Sequence, residues 1–147
     1  MTLASMRRIA TPKIIDFGLA VPEHLRQKWE FDRSGTAAYM APEQVRGQRV
    51  DQRTDVYAYG VSMYEILTGH RPFPEERDRF RKMAVHLNVK PTSARQYNKN
   101  IPVALDHVLF RSMEKEPKDR YDSIETMIKD IMAVAAIFMG ADGKLPA

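Results

Sequence analysis

Few residues in this chain are placed to do chemistry. Asp16 follows the apolar pair Ile14-Ile15 and precedes Phe17-Gly18, a carboxylate where a short run gives way to glycine. Taken alone it reads as a turn aspartate. Glu43, just inside Pro42, and Asp55, just after Thr54, read as acidic residues in the first turns of helices, where the helix dipole favours negative charge. Ser34 and Thr36 are the only aliphatic hydroxyls between Asp16 and Glu43, and a phosphate on either would carry charge that arginines can hold. The chain contains no cysteine, which excludes disulfides, Cys-ligated zinc, iron–sulfur clusters and thiol catalysis. His24, His70, His86 and His107 lack the spacing of metal ligands.

The elements that must position these groups follow from periodicity and punctuation. Lys13-Ile14-Ile15 reads as a short strand closing in a turn at Gly18, and the stretch from Leu19 to Tyr39 as a long loop. Within that loop Trp29 and Phe31 are either internal anchors or a partner contact. Pro42 suits the first turn of a short helix that stops near Gly47. Thr54 is expected to cap a helix from Asp55 to about Thr68, closed by Gly69. That helix carries Val56, Tyr57, Tyr59, Val61, Met63, Tyr64, Ile66 and Leu67 on every side, so it belongs in the middle of a core. Glu75 to Leu87 shows one stripe, Phe80, Met83, Ala84 and Leu87, on a charged helix expected at the surface. Pro102 opens a helix striped by Leu105, Val108, Leu109 and Met113 that Glu116-Pro117 stops. Asp122 or Ser123 caps the last one, striped by Ile124, Met127, Ile128 and Ile131. The nine methionines fall mainly on such stripes, where they fill cores.

With 147 residues, 44% hydrophobic and 29% charged, the chain has the composition of one soluble domain or a large piece of one. The net charge of +4 comes from cations interleaved with acids, as in Glu75-Glu76-Arg77-Asp78-Arg79. That pattern describes a solvated helix face and argues against a nucleic-acid groove, which concentrates cations and interleaves aromatics. The longest apolar stretch, Ile131 to Met139, is about half of a membrane span, and Met1 to Arg8 has no apolar run of a signal peptide. Without cysteine, a reducing compartment, the cytoplasm, is expected.

Order and spacing then add what no single motif carries. Asp16-Phe17-Gly18 is followed by Gly35-Thr36-Ala37-Ala38-Tyr39-Met40-Ala41-Pro42-Glu43, then by Asp55-Val56-Tyr57-Ala58-Tyr59-Gly60, then by Arg120. Together these resemble the C-terminal half of a protein kinase domain. The likeness covers about Lys13 to Met132 and is nearest to bacterial membrane-anchored serine/threonine kinases of the eukaryotic type. Leu67-Thr68-Gly69 and Glu116-Pro117-Lys118-Asp119-Arg120-Tyr121 belong to the same likeness. It implies a mainly α fold with little β, the helical lobe of the bilobal kinase fold, cut short. Its parts are a non-matching leader at 1–12, a partial kinase domain at 13–132 and an apolar helix end and tail at 133–147. An activation segment occupies 16–43 and a helical subdomain 44–132.

The resemblance also implies roles. Asp16 would be a Mg²⁺ ligand, because a hard dication on phosphate oxygens takes carboxylate oxygen. Phe17 would pack to hold the loop, and Gly18 would free the backbone to leave the strand. Thr36 and Tyr39 fall in the loop that meets the residue after the phosphoacceptor. Ala37-Ala38-Tyr39 lacks the proline and tryptophan of tyrosine kinases, which favours serine/threonine specificity. Glu43 would pair with Arg120. Ala41, Pro42 and Gly60 would be structural, and Asp55 would accept backbone hydrogen bonds from the catalytic loop. ATP and Mg²⁺ are the cofactors of such enzymes.

Most catalytic parts of a kinase are absent from these residues: no glycine precedes Gly18 and no His-Arg-Asp occurs. The chain is therefore expected to be the latter part of a serine/threonine kinase that, alone, neither holds ATP tightly nor transfers phosphate, and no catalytic residue is assigned. A kinase-like binding module without chemistry is the alternative, and a basic nucleic-acid or membrane-surface module a distant third. Its partner would be a protein substrate or a complete kinase. With the catalytic loop missing, exposed apolar helix surface would favour self-association.

Overall fold

A computed structural model describes residues 36–139. The expected strand at Lys13 to Ile15, the Asp16-Phe17-Gly18 turn and Ser34 lie outside the described residues. Within them the chain is helical and has no strand. A 3₁₀ turn, Thr36–Tyr39, leads to α1 (Pro42–Val45), α2 (Gln52–Thr68), α3 (Arg79–Asn88), α4 (Val103–Ser112) and α5 (Ile124–Met139), with short 3₁₀ turns at Ala94–Gln96 and Pro117–Asp119. The fold class is thus mainly α.

Helix α2 is the axis. It packs against α4 and α5, which also pack on each other, while α3 packs against α1 and the 36–39 turn. One core cluster gathers Tyr57, Val61, Tyr64, Phe73, Leu109 and Met113; a second joins Val56, Val108, Tyr121 and Met127. Arg120, although charged, is among the largest fully buried side chains.

Helix starts and stops obey local rules with three shifts, one being that α4 ends at Ser112, ahead of Glu116-Pro117. Gly69 closes α2 in the left-handed region at φ 71°, where glycine carries no steric penalty. The start of α2 lies earlier than expected: Asp51, not Thr54, is the cap, its carboxylate accepting the Arg53 N–H at 2.8 Å. Thr54 is buried inside the first turn and its hydroxyl is used elsewhere. Helix α3 starts at Arg79, capped by Asp78, because the segment from Arg71 to Arg77 follows Pro72 and Pro74 in a non-helical path. Its expected stripe is also rotated. Phe80 is 66% exposed and Ala84 is exposed, whereas His86 is buried and Val85 and Val89 pack on the core. Ser123 caps α5 through its hydroxyl, at 3.2 Å from the Thr126 nitrogen, and Asp122 instead meets Arg53 at 2.8 Å.

Candidate functional site

The most highly organised polar group in the described residues is built on Glu43 and Arg120. Pro42 and Glu43 form the first turn of α1, and Arg120 follows the 3₁₀ turn Pro117–Asp119. Each guanidinium terminal nitrogen donates to one carboxylate oxygen of Glu43, both at 2.7 Å, a bidentate fork. Both residues are 2% exposed. Arg120 also donates to the backbone carbonyls of Glu114 at 2.7 Å, Arg53 at 3.0 Å and Lys115 at 3.1 Å. All of its N–H donors are therefore used. The Thr54 hydroxyl adds a 2.7 Å bond to Glu43, and the Arg120 guanidinium lies 5.0 Å from the Tyr57 ring centroid. Burial pushes the Glu43 carboxyl up. The Arg120 and backbone hydrogen bonds, the Thr54 hydroxyl and the Arg120 charge outweigh it, so the net shift is downward. Glu43 is an ionised, fully paired carboxylate.

The 36–39 turn leads into α1, the helix that carries Glu43. Ala37, Ala38 and Met40 are buried, and the Tyr39 hydroxyl donates to the Glu65 carboxylate of α2 at 2.6 Å. That bond, then desolvation and the Glu65 charge, hold the phenol protonated, against a smaller opposing pull from Arg71. Tyr39 thereby binds the turn to the middle of the lobe. Of Thr36 only the backbone is described.

Two titratable groups that the sequence had offered no role meet at the Phe73 ring. His86 is 3% exposed; its Nδ1 lies 2.6 Å from the Tyr57 hydroxyl and its ring meets Phe73 edge-on at 4.7 Å. The Lys115 ammonium also stands over Phe73, 4.4 Å from the ring centroid, with no hydrogen-bond partner. Burial, with the Lys115 charge next, brings His86 down to about 4, so it is neutral at pH 7. Burial and the Arg120 charge bring Lys115 down to about 8, against a smaller upward pull from Glu114.

The remaining expected site residues have simpler settings. Asp55 is exposed at the start of α2, and among the described residues no hydrogen bond reaches its carboxylate; loss of solvent around it and the Asp51 charge raise its pKa. Gly60 is buried where α2 crosses α4. Ala41 and Pro42 are buried, and the Ala41 N–H donates to the Gln44 side chain at 2.9 Å. Asp16, the carboxylate assigned to Mg²⁺ by resemblance, lies outside the described residues. Among those described, no group of three or more His, Asp or Glu side chains is placed to hold a metal ion, and no helix is long and apolar enough to cross a membrane.

Comparison with known proteins agrees with this arrangement. The family model described as the protein kinase domain matches residues 4–132. The serine/threonine-protein kinase Pkn1 of Myxococcus xanthus is 41% identical over 114 residues, which is 76% of this chain and 16% of Pkn1. From Mycobacterium leprae, the serine/threonine-protein kinase PknB is 36% identical over 124 residues, 83% of this chain and 20% of PknB. A third relative, named tyrosine-protein kinase MasK and also from Myxococcus xanthus, is 35% identical over 135 residues, 91% of this chain and 21% of MasK. The chain thus spans 16 to 21% of the length of these relatives. Helical throughout its described residues and matched by the family model over most of its length, the chain belongs to the protein kinase family, in its bacterial serine/threonine branch.

Proposed function

We propose that this chain is the substrate-docking half of a kinase that transfers the ATP γ-phosphoryl group to serine or threonine of a protein. The observation that carries the reading is the buried Glu43–Arg120 fork, which fixes the helical turn that directly follows the 36–39 turn. Kinase catalysis is mostly positioning and electrostatics, and a substrate loop can position nothing unless its own base is fixed. Serine/threonine preference is supported by Ala37-Ala38-Tyr39, which has neither the proline nor the tryptophan of tyrosine kinases. Mg²⁺ and ATP supply the phosphoryl group and its charge neutralisation, with Asp16 the residue that would hold the metal. Ser34 and Thr36 are the proposed acceptors of an ordering phosphate. Asp55, exposed at the head of α2, is the proposed acceptor for backbone N–H groups of a catalytic loop. The cysteine-free composition supports the cytoplasm as the site of action.

The polypeptide of these 147 residues is itself proposed to be inactive, since it contains no His-Arg-Asp and no Gly-rich phosphate loop. The test is a chimera in which residues 13–132 replace the matching half of the Pkn1 kinase domain. Labelled ATP should then give phosphoserine or phosphothreonine on a protein substrate, and Asp16→Ala should abolish it, while the 147-residue chain gives no transfer. Turnover by the chain alone would overturn its proposed inactivity. A folded but inert chimera would favour a kinase-like binding module.

A further inference from the structure

We propose that His86 is a positioning residue that clasps the 36–39 turn to the Tyr57 ring of α2, setting the substrate-facing loop by a neutral imidazole. The proposal rests on the docking reading above. Helix α3 packs directly on the 36–39 turn, and His86 is its one buried residue. Such a ring has one donor and one acceptor when neutral. Burial keeps the Tyr57 phenol protonated, so its hydroxyl donates and Nδ1 of His86 accepts at 2.6 Å. The proton therefore resides on Nε2, on a ring that lines one cavity together with Ala38 of the turn. Phe73, edge-on at 4.7 Å, fixes the ring plane.

One imidazole thus stands where three elements meet: α3 that bears it, α2 bonded through Tyr57, and the turn, whose Ala38 lines the same cavity. Tyr57 in turn lies under the Arg120 guanidinium, so the clasp is continuous with the Glu43–Arg120 base. Burial first, then the positive charges of Lys115 and Arg71, keep the imidazole from taking a second proton. Glu75, Glu76, Arg77 and Lys82 line the open cavity of about 370 Å³ on the same side, and the buried ring is linked by hydrogen bond to none of them. A phenylalanine would fill the space without the clasp. Glutamine could keep both polar ends.

The experiment uses the full chain. Long-range ¹H–¹⁵N spectra should give His86 as the Nε2–H tautomer with Nδ1 unprotonated at pH 7. Hydrogen exchange followed by mass spectrometry should show peptides covering 36–41 exchanging about tenfold faster in His86→Ala and in Tyr57→Phe, with peptides from 103–139 unchanged. His86→Gln should return exchange at 36–41 to within about threefold of wild type. A general loss of packing would instead raise exchange everywhere. An Nδ1–H tautomer, or unaltered exchange at 36–41 in a folded His86→Ala chain, overturns the clasp. Should His86→Ala not fold, Tyr57→Phe, which removes one oxygen, and the wild-type spectrum still decide. In the chimera, His86→Ala should raise KM for the protein substrate with KM for ATP unchanged. An inert wild-type chimera whose 36–41 exchange still depends on His86 would overturn the docking reading and leave the clasp standing.

Discussion

Gly60 and Ser112 touch: a Cβ on Gly60 would fall 2.0 Å from the Ser112 hydroxyl and 2.8 Å from its Cβ. Helices α2 and α4 approach this closely because nothing stands between the Gly60 backbone and that side chain. Rotating the hydroxyl away gives no relief, since the Cβ contact remains and the hydroxyl is held by the Leu109 carbonyl at 2.7 Å. Gly60→Ala gains about 1 kcal/mol of helix propensity, yet overpacking at a closed interface costs about 1–3 kcal/mol and more where backbone must shift. The substitution should therefore lower the urea midpoint, and Ser112→Gly in the same chain should recover most of the loss. Wild-type stability in Gly60→Ala would mean that the two helices can part freely.

Removing either half of the Glu43–Arg120 fork should be severe. Arg120→Ala leaves a buried carboxylate without its counter-charge, and such breaks cost about 3–5 kcal/mol. Arg120→Lys should recover little, because an ammonium lacks the planar fork that meets both Glu43 oxygens and the backbone carbonyls. The Glu43 carboxyl is held below its ordinary 4.5 in the folded chain. Its contribution to stability is then complete above pH 4.5 and is lost as pH falls through the lower folded value. Urea titrations of wild type and Glu43→Gln from pH 7 to 3 should converge at the acid end. Parallel curves would place the carboxylate in solvent.

His86 produces a second acid slope in a different window. Its folded value near 4 lies below the unfolded 6.5, so the unfolded chain binds the extra proton and stability rises with pH between those values. On the order of 3 kcal/mol is gained from pH 4 to pH 7. His86→Phe should flatten that slope without touching the one below pH 4.5. An unchanged slope in a folded His86→Phe chain would assign it to other groups.

Lys115 should be a destabilising residue at neutral pH. Its ammonium is buried without a hydrogen-bond partner, and the Phe73 face 4.4 Å away offsets only part of the desolvation. Lys115→Met should stabilise the chain by about 1 kcal/mol at pH 7, the figure being kept low because part of the side chain reaches solvent. The folded value of about 8 lies below the unfolded 10.5, so wild-type stability rises with pH across that interval and the advantage of methionine should vanish near pH 10. A less stable methionine variant at pH 7 would show that the cation–π contact dominates.

The outer face of α5 leaves Met132 63%, Ile137 77% and Phe138 44% exposed, and Ile66 on α2 is 77% exposed. The purified chain should self-associate through such apolar surface, with sedimentation that depends on concentration and with dye binding. Elsewhere α2 is covered by α4 and α5, which both pack on it. A monodisperse, dye-silent monomer would rule the association out.

What could be read from the residues was what is decided locally. Pro42, Gly69 and Pro102 punctuate helices through their own backbone chemistry, and the stripe of Leu109 and Met113 is buried as its period requires. Asp51 and Thr54 are both good caps three positions apart, and the choice depends on Glu43, a residue of another helix that takes the threonine hydroxyl. Helix α3 has two stripes of equal period, Phe80-Met83-Ala84-Leu87 and Lys82-Val85-His86-Val89. Hydrophobicity favours the first because histidine counts as polar, whereas the tyrosine hydroxyl waiting in the core favours the second. Lys115 carried no signal at all: an ammonium over a buried ring is visible only after the chain has folded. The pairing of Glu43 with Arg120 was legible solely through the family likeness, since nothing in either residue's neighbourhood points to the other.

That pairing joins positions 77 apart in the chain, and the ribosome delivers them in order. Synthesis at about 5–20 residues per second separates the two by about 4 to 15 s. During that interval Glu43, the Thr54 hydroxyl and the Arg53 carbonyl await a guanidinium that does not yet exist, and for most of it α2 lacks both of its main neighbours, α4 being made only shortly before Arg120 and α5 after it. Secondary structure can form on this timescale many times over, but the lobe cannot lock. Every nascent chain must therefore pass through a stage, seconds long, in which its central helix is incompletely covered, and it ends only when Arg120 and then α5 have been made.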